Sequence, residues 1–151
     1  KQHRTKLIRQ NMKKLFITAL ITGFSAISFN AKAQMCDTIA DFAGKFFTSA
    51  YISDGQSYRA LLVDDQTAEF QTTFFGGTQY RISACSGFSE NALVFRVLDG
   101  QSNQIFNSAQ HGNTPYWDFK VASTLEVTIE AQLDQTYTKS GCAVVLIGFK
   151  Q

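Results

Sequence analysis

The sequence predicts an all-β fold: a jelly-roll-like β-sandwich of about eight strands with a short N-terminal helix, following a cleaved signal peptide. Three observations predict it. Apolar and polar residues alternate with a period of two along several short runs, turn residues separate those runs at roughly 8 to 12-residue intervals, and one late run is apolar throughout. Alternation means a strand with one buried and one wet face, and closely spaced strands of this kind read as a sandwich or barrel.

The first 33 of the 151 residues stand apart from this pattern. Met12 to Ala33 carries a basic start at Lys13 and Lys14, an apolar stretch from Leu15 to Phe29, and the small residues Ala31 and Ala33 at the −3 and −1 positions before Gln34. This is the layout of a secretory signal peptide. A membrane-spanning helix needs about 20 predominantly apolar residues, whereas Thr18, Thr22, Ser25, Ser28 and Asn30 interrupt this one. Residues 1–11 are basic, lack apolar periodicity and precede the credible initiator Met12, so residues 1–33 form an upstream extension plus signal peptide. Residues 34–151 suit a single β-sandwich domain. The expected location is periplasmic or secreted, and the chain does not read as an integral membrane protein.

Removing that segment inverts the charge. Seven of the 14 basic residues lie in it, while all 12 acidic residues follow Gln34, leaving a net charge of −5. An acidic surface repels phosphate backbones and anionic head groups, which argues against nucleic acid as a partner.

The elements follow in order. Ile39, Phe42, Phe46 and Phe47 recur at helical spacing, and Asp37 can serve as N-cap, so an amphipathic helix is expected from Asp37 to about Tyr51, broken by Asp54-Gly55. Strands are expected at Tyr58 to Val63, Ala68 to Phe75, Gln79 to Ala84, Leu93 to Leu98, Gln104 to Asn107, Trp117 to Val121, Leu125 to Leu133 and Cys142 to Phe149. The alternation is cleanest where Leu125, Val127, Ile129, Ala131 and Leu133 interleave with Glu126, Thr128, Glu130 and Gln132. Ala143 to Ile147 is apolar at every position, so that strand should be central and covered on both sides. Gly76-Gly77 suits a two-residue hairpin and Asp99-Gly100 another turn. Pro115 precedes a strand start, where its missing N–H does no harm.

Candidate chemistry is sparse. Cys85 and Cys142 fall at the end and start of two predicted strands, so a bridge between them is geometrically easy; a bridge from Cys36 to either one, or three thiols, are the alternatives. His111 is the one histidine after the signal segment, in the loop sequence Gln110-His111-Gly112-Asn113, and no nucleophile motif surrounds it. The cysteines and His111 lack the close pair spacings of zinc sites. Glu126 and Glu130 share one strand face at about 13 Å by the ~3.3 Å rise, beyond the roughly 5 to 10 Å of a glycosidase pair. Asp99, Gln101 and Asn103 offer alternating oxygen ligands for calcium, without the terminal glutamate of an EF-hand loop. Trp117 should face the core, leaving Tyr116 exposed beside Asp118, so Tyr116, Asp118 and His111 are the candidate ligand-binding residues. No cofactor motif is present.

The strings Ser53-Asp54-Gly55-Gln56-Ser57-Tyr58-Arg59-Ala60-Leu61-Leu62, Thr73-Phe74-Phe75-Gly76-Gly77-Thr78-Gln79-Tyr80-Arg81-Ile82, Pro115-Tyr116-Trp117-Asp118-Phe119 and Gly141-Cys142-Ala143-Val144-Val145-Leu146-Ile147-Gly148-Phe149 resemble a group of small uncharacterised exported β-sandwich proteins of Bacteroidota. The resemblance spans nearly all of residues 34–151 and implies no activity. The pattern is also similar, more loosely, to bacterial pre-peptidase C-terminal accessory domains, a likeness of fold that does not establish function.

These observations lead to an exported, non-catalytic binding or interaction domain of the cell envelope, with an envelope protein or a glycan as partner. One competing reading is a hydrolase whose carboxylates, such as Asp64, Asp65 and Asp118, assemble from distant strands. Another is a structural envelope component held by exposed strand edges. The sequence leaves oligomeric state open.

Overall fold

The computed structural model describes residues 31–151 other than 88 and 90, and the sandwich lies within the compact unit Ala33–Gln151. Of the proposed signal segment, only its last three residues are described, at the start of a helix; the rest lies outside the described residues.

Helix α1 (Ala31–Gly44) is followed by eight strands: β1 (Tyr51–Val63), β2 (Thr67–Phe74), β3 (Gln79–Ser86), β4 (Leu93–Asp99), β5 (Gln104–Asn107), β6 (Tyr116–Lys120), β7 (Leu125–Leu133) and β8 (Ser140–Lys150). They form two four-stranded antiparallel sheets, one ordered β1-β8-β3-β6 and the other β2-β7-β4-β5. The chain changes sheet at each connection between successive strands except β4 to β5. This is the interleaved order of an eight-stranded jelly roll.

That order corrects the reading of Gly76-Gly77. They do not close a hairpin, because β2 and β3 belong to opposite sheets. The pair carries the chain across the sandwich edge, with Gly77 at φ 81°. A Cβ on Gly76 would lie 2.9 Å from Ser123 Cα, so the crossing also needs the close backbone approach that only glycine allows. Asp99-Gly100, by contrast, does turn β4 into its neighbour β5.

Inner-face residues from both sheets fill the sandwich. Ile82, Phe95, Val97, Ile129, Ala131 and Val145 are fully buried there, and the apolar members of β7 point inward as the alternation requires. Each large aliphatic side chain so buried contributes about 1.5 to 3 kcal/mol. β8 lies between β1 and β3 and is covered on both sides. Ala143, Val145 and Ile147 join the inter-sheet core, while Cys142, Val144 and Leu146 pack with Ile39 and Ala43 of α1 in a second cluster.

The helix sits earlier in the chain than its apolar spacing suggests. It runs through Asp37, which is therefore not an N-cap; its carboxylate instead pairs with Arg59 of β1. Phe46 and Phe47 fall in the turn after Gly44, where Phe46 N–H and Phe47 N–H donate to the carbonyls of Ala43 and Gly44. Asp54-Gly55 does not end the helix either. It forms a bulge within β1, between Ser53 and Ser57, with Gly55 at φ 82° and its N–H donating to Ser53 Oγ.

The disulfide joins Cys36 to Cys142 at a Cα separation of 5.6 Å, which corrects the expected Cys85–Cys142 pairing. Register supplies the reason. Cys85 is opposite Val144, so Cys142 is its diagonal neighbour, two residues along β8. Diagonal neighbours are about 7 to 8 Å apart, too far for a relaxed bridge. α1 brings Cys36 down onto the same sheet face, and Cys85 remains buried beneath the helix.

Candidate binding surface

Two of the three candidate ligand residues meet at one point on the helix-covered face, and an arginine holds them there. Arg81 of β3 is directly opposite Asp118 of β6. Its Nε donates to Asp118 Oδ1 at 2.6 Å, its Nη2 to Oδ2 at 2.8 Å, and its Nη1 to the Phe46 carbonyl at 2.6 Å. The guanidinium lies 4.3 Å from the Tyr51 ring centre and 4.5 Å from that of Tyr116, while Phe46 stacks on Tyr116 at 5.5 Å. Only 9% of Arg81 is exposed. This planar fork between two rings, with its carboxylate bound twice, is a geometry lysine cannot reproduce.

The electrostatics follow from the contacts. The Arg81 hydrogen bonds hold the Asp118 carboxyl below its ordinary range, opposed by partial burial, and burial together with the Asp118 carboxylate pushes the Tyr51 hydroxyl up. Tyr116 and Asp118 thus clamp the segment between α1 and β1 onto the sheet. Ser83 Oγ, donating to the Ala43 carbonyl at 2.9 Å, adds a second anchor nearby.

His111 lies elsewhere, on the 3-10 turn Ser108–His111 between β5 and β6. Asn107 caps the turn by accepting from Ala109 N–H, and Gly112 ends it in the left-handed region at φ 67°. Ser108 is buried and accepts the Phe95 N–H at 2.9 Å, fixing the turn to β4. The imidazole is thereby placed 5.4 Å from the Phe106 ring centre and 4.5 Å from that of Trp117.

Trp117 is opposite Ile82 and so points inward, as the alternation predicts. Yet β6 and β5 are both edge strands on the same side of the sandwich, and 36% of Trp117 stays exposed. Its ring stacks on Phe106 at 4.8 Å. Ile105 on β5 is 47% exposed and lines an apolar pocket of about 170 Å³ with Phe74, Val97, Phe119, Leu125 and Val127. An open seam between the sheets therefore presents an aromatic stack beside a hollow lined mainly by apolar side chains.

The remaining candidates are spread apart. Asp99 Oδ1 accepts from Gln101 N–H and Asn103 N–H at 2.9 and 2.8 Å, and Asn103 Nδ2 donates to both of its oxygens, which holds its pKa below the usual value. These bonds close the β4–β5 turn. The Asn103 side chain turns its nitrogen, not its oxygen, toward Asp99. Among the described residues, no three His, Cys, Asp or Glu side chains gather as metal ligands would. Asp64 follows β1, and its N–H donates to Lys139, nine residues before the Gly148 that is opposite Arg81. At ~3.3 Å per residue that is on the order of 30 Å, so Asp64 and Asp65 do not meet Asp118.

The outer face of the β2-β7-β4-β5 sheet is polar. Gln71, Thr73, Asp99, Ser102, Glu126 and Thr128 line a shallow groove of about 450 Å³ there, and Arg96 pairs with Glu130 at 2.7 Å. No helix among the described residues is long and apolar enough to cross a membrane. Alternation along β3, with Tyr80, Ile82 and Ala84 inward, sets Arg81 on the opposite, wet face, and nothing in the sequence assigns a role to Arg81 or Ile105. The Phe46-Phe47 doublet was the available signal for the first, since two adjacent rings outside a helix need a sheet face to cover them.

No family model and no curated protein matches this chain. Among solved structures, the chain is similar to PliG of Aeromonas hydrophila, a periplasmic lysozyme inhibitor of g-type lysozyme, at 12% identity and a TM-score of 0.49, over 69% of this chain and 91% of that one. The Salmonella Typhimurium PliG, also a periplasmic inhibitor of g-type lysozyme, gives 11% identity and a TM-score of 0.44 over 70% of this chain and 93% of that one. A de novo designed double-stranded β-helix gives 11% identity and a TM-score of 0.34 over 63% and 99%.

Proposed function

We propose that the chain is an exported, non-catalytic binding domain of the cell envelope that engages a protein partner along the β5–β6 seam. The observation that carries this reading is the position of Trp117, partly open on an edge strand and braced by His111 and by Phe106, whose neighbour on β5 is the exposed Ile105. Tryptophan on a rigid platform is the residue type that most often dominates a protein interface. The hollow beside it, walled mainly by Phe74, Val97, Phe119, Leu125 and Val127, favours a protein side chain over a sugar, which would need more polar partners at that depth. Export rests on the Met12 to Ala33 pattern.

Capture from envelope extract tests the reading, with the processed protein as bait and Trp117→Ala, Ile105→Glu and the groove variant Thr128→Ala beside it. A partner retained by wild type and Thr128→Ala, and lost with Trp117→Ala and Ile105→Glu, is the expected result. Equal retention by all four proteins overturns the assignment of the seam.

A further inference from the structure

We infer that the β5–β6 seam receives the C-terminus of its protein partner, with an apolar last side chain in the pocket under Ile105 and the terminal carboxylate against Lys120 and Lys150. This rests on the binding reading above and specifies what the partner presents.

The pocket of about 170 Å³ is smaller than the ~300 to 1,000 Å³ of small-molecule sites. One aliphatic or aromatic side chain suits it. Lys120, Val121 and Ala122 form part of its wall and also part of the wall of a second, open hollow of about 480 Å³, which Gly77, Thr78, Gln79, Lys150 and Gln151 complete. The two hollows are therefore adjacent and share Lys120; Phe74, Val97, Ile105, Phe119, Leu125 and Val127 give the first its apolar side chains, and the second adds Lys150.

Charge makes that pairing informative. In a domain of net charge −5, Arg59, Arg81 and Arg96 are all committed to ion pairs, Lys45 lies over the Phe42 ring, and the exposed Lys139 precedes β8, at the opposite end of that strand from Lys150. Lys120 and Lys150 are both exposed and converge on one hollow. Asp118 is near enough to attract Lys150, but both its oxygens are hydrogen-bonded by Arg81, whose charge offsets it, so the cluster of Arg81, Asp118, Lys120 and Lys150 keeps a net positive charge. An anion is thus attracted here and repelled over most of the surface. A phosphate alone would leave the apolar pocket empty, and an apolar side chain alone would leave the lysines without a counter-charge. A carboxylate joined to an apolar group fills both. A fatty carboxylate has the same two parts, but β5 and β6 also offer edge backbone, which an extended peptide can pair with and an acyl chain cannot.

Fluorescence anisotropy with a labelled glycine-serine octapeptide ending in leucine tests the proposal on the processed protein. Saturable binding is expected. It should weaken about tenfold or more when the carboxylate is amidated, when the last leucine becomes serine, or in the exposed double variant Lys120→Ala/Lys150→Ala, in line with the loss of a charged contact or a buried side chain. Equal affinity for acid and amide, no saturable binding, or full displacement by decanoate at equal concentration overturns it. If the peptide fails while a partner is still captured in a Trp117-dependent way, this inference falls and the binding reading stands.

Discussion

Arg81 and Asp118 face each other across β3 and β6 and share two hydrogen bonds, at 2.6 and 2.8 Å, while the third donor direction of the guanidinium reaches back to the Phe46 carbonyl. One side chain thereby joins the sheet to the segment that follows α1. A residue that alternation assigns to the solvent face is buried because that segment returns over it.

Asp118→Asn should lower the unfolding free energy by about 2 to 3 kcal/mol, the range for losing charged hydrogen bonds and leaving a largely buried guanidinium unpaired. Arg81→Lys should recover little of this, because an ammonium cannot bond both oxygens while lying flat between Tyr51 and Tyr116. Urea titration of the variants checks both statements. A change of a few tenths of a kcal/mol in Asp118→Asn would show that the pair is incidental.

The same contact sets an acid dependence. The folded Asp118 carboxyl ionises below its unfolded value of about 3.9. Its contribution is therefore fully present above that value. As pH falls through it, the unfolded chain takes up a proton before the folded one does, and stability declines until the lower folded value is passed. Asp99 and Asp134, also lowered by hydrogen bonds, act in the same direction. Thermal melts between pH 6 and 2 should show a shallower acid loss in Asp118→Asn than in wild type. Parallel curves would contradict this assignment.

Non-reducing peptide mapping should recover Cys36 linked to Cys142. With a sequence separation of 106, the bridge constrains most of the domain, and the chain-entropy relation gives a loss of about 4 to 5 kcal/mol for Cys36→Ser. Cys85→Ser should keep the linked peptide pair. Recovery of Cys85 linked to Cys142 would restore the pairing first expected from the strand ends.

Gly148→Ala should destabilise the fold by about 1 to 3 kcal/mol through overpacking. An added Cβ would stand 2.7 Å from the Phe47 ring and 2.9 Å from the Ile52 carbonyl oxygen. The ring would have to leave the sheet, so Phe47→Ala/Gly148→Ala should lose less than the two single changes combined. Additive losses, measured by urea titration, would show that the two residues are not in contact.

The strands themselves were legible, and for a simple reason. Period-two alternation reports which face of a strand is buried, and it located β7 to its end residues, while the run apolar at every position identified β8 as the strand covered on both sides. Alternation does not report a strand's neighbours. Gly76-Gly77 therefore read as a hairpin when it is a crossing between sheets, and Cys85 read as the partner of Cys142 when register places it diagonally. The same gap explains the candidate site. Tyr116 and Asp118 were assigned the correct side of β6, but nothing local to β6 reveals that the chain after α1 returns to cover them. Trp117 was assigned inward, and only the topology shows that inward on this edge still leaves the ring partly open.

Hydrogen–deuterium exchange of the processed protein, alone and with its captured partner, tests the central claim most directly. The account predicts added protection over β5 and β6, at residues 104–106 and 116–121, with little change across the outer face of β2 and β7. Protection confined to the Gln71, Glu126 and Thr128 groove, with the β5–β6 seam unchanged, would contradict it.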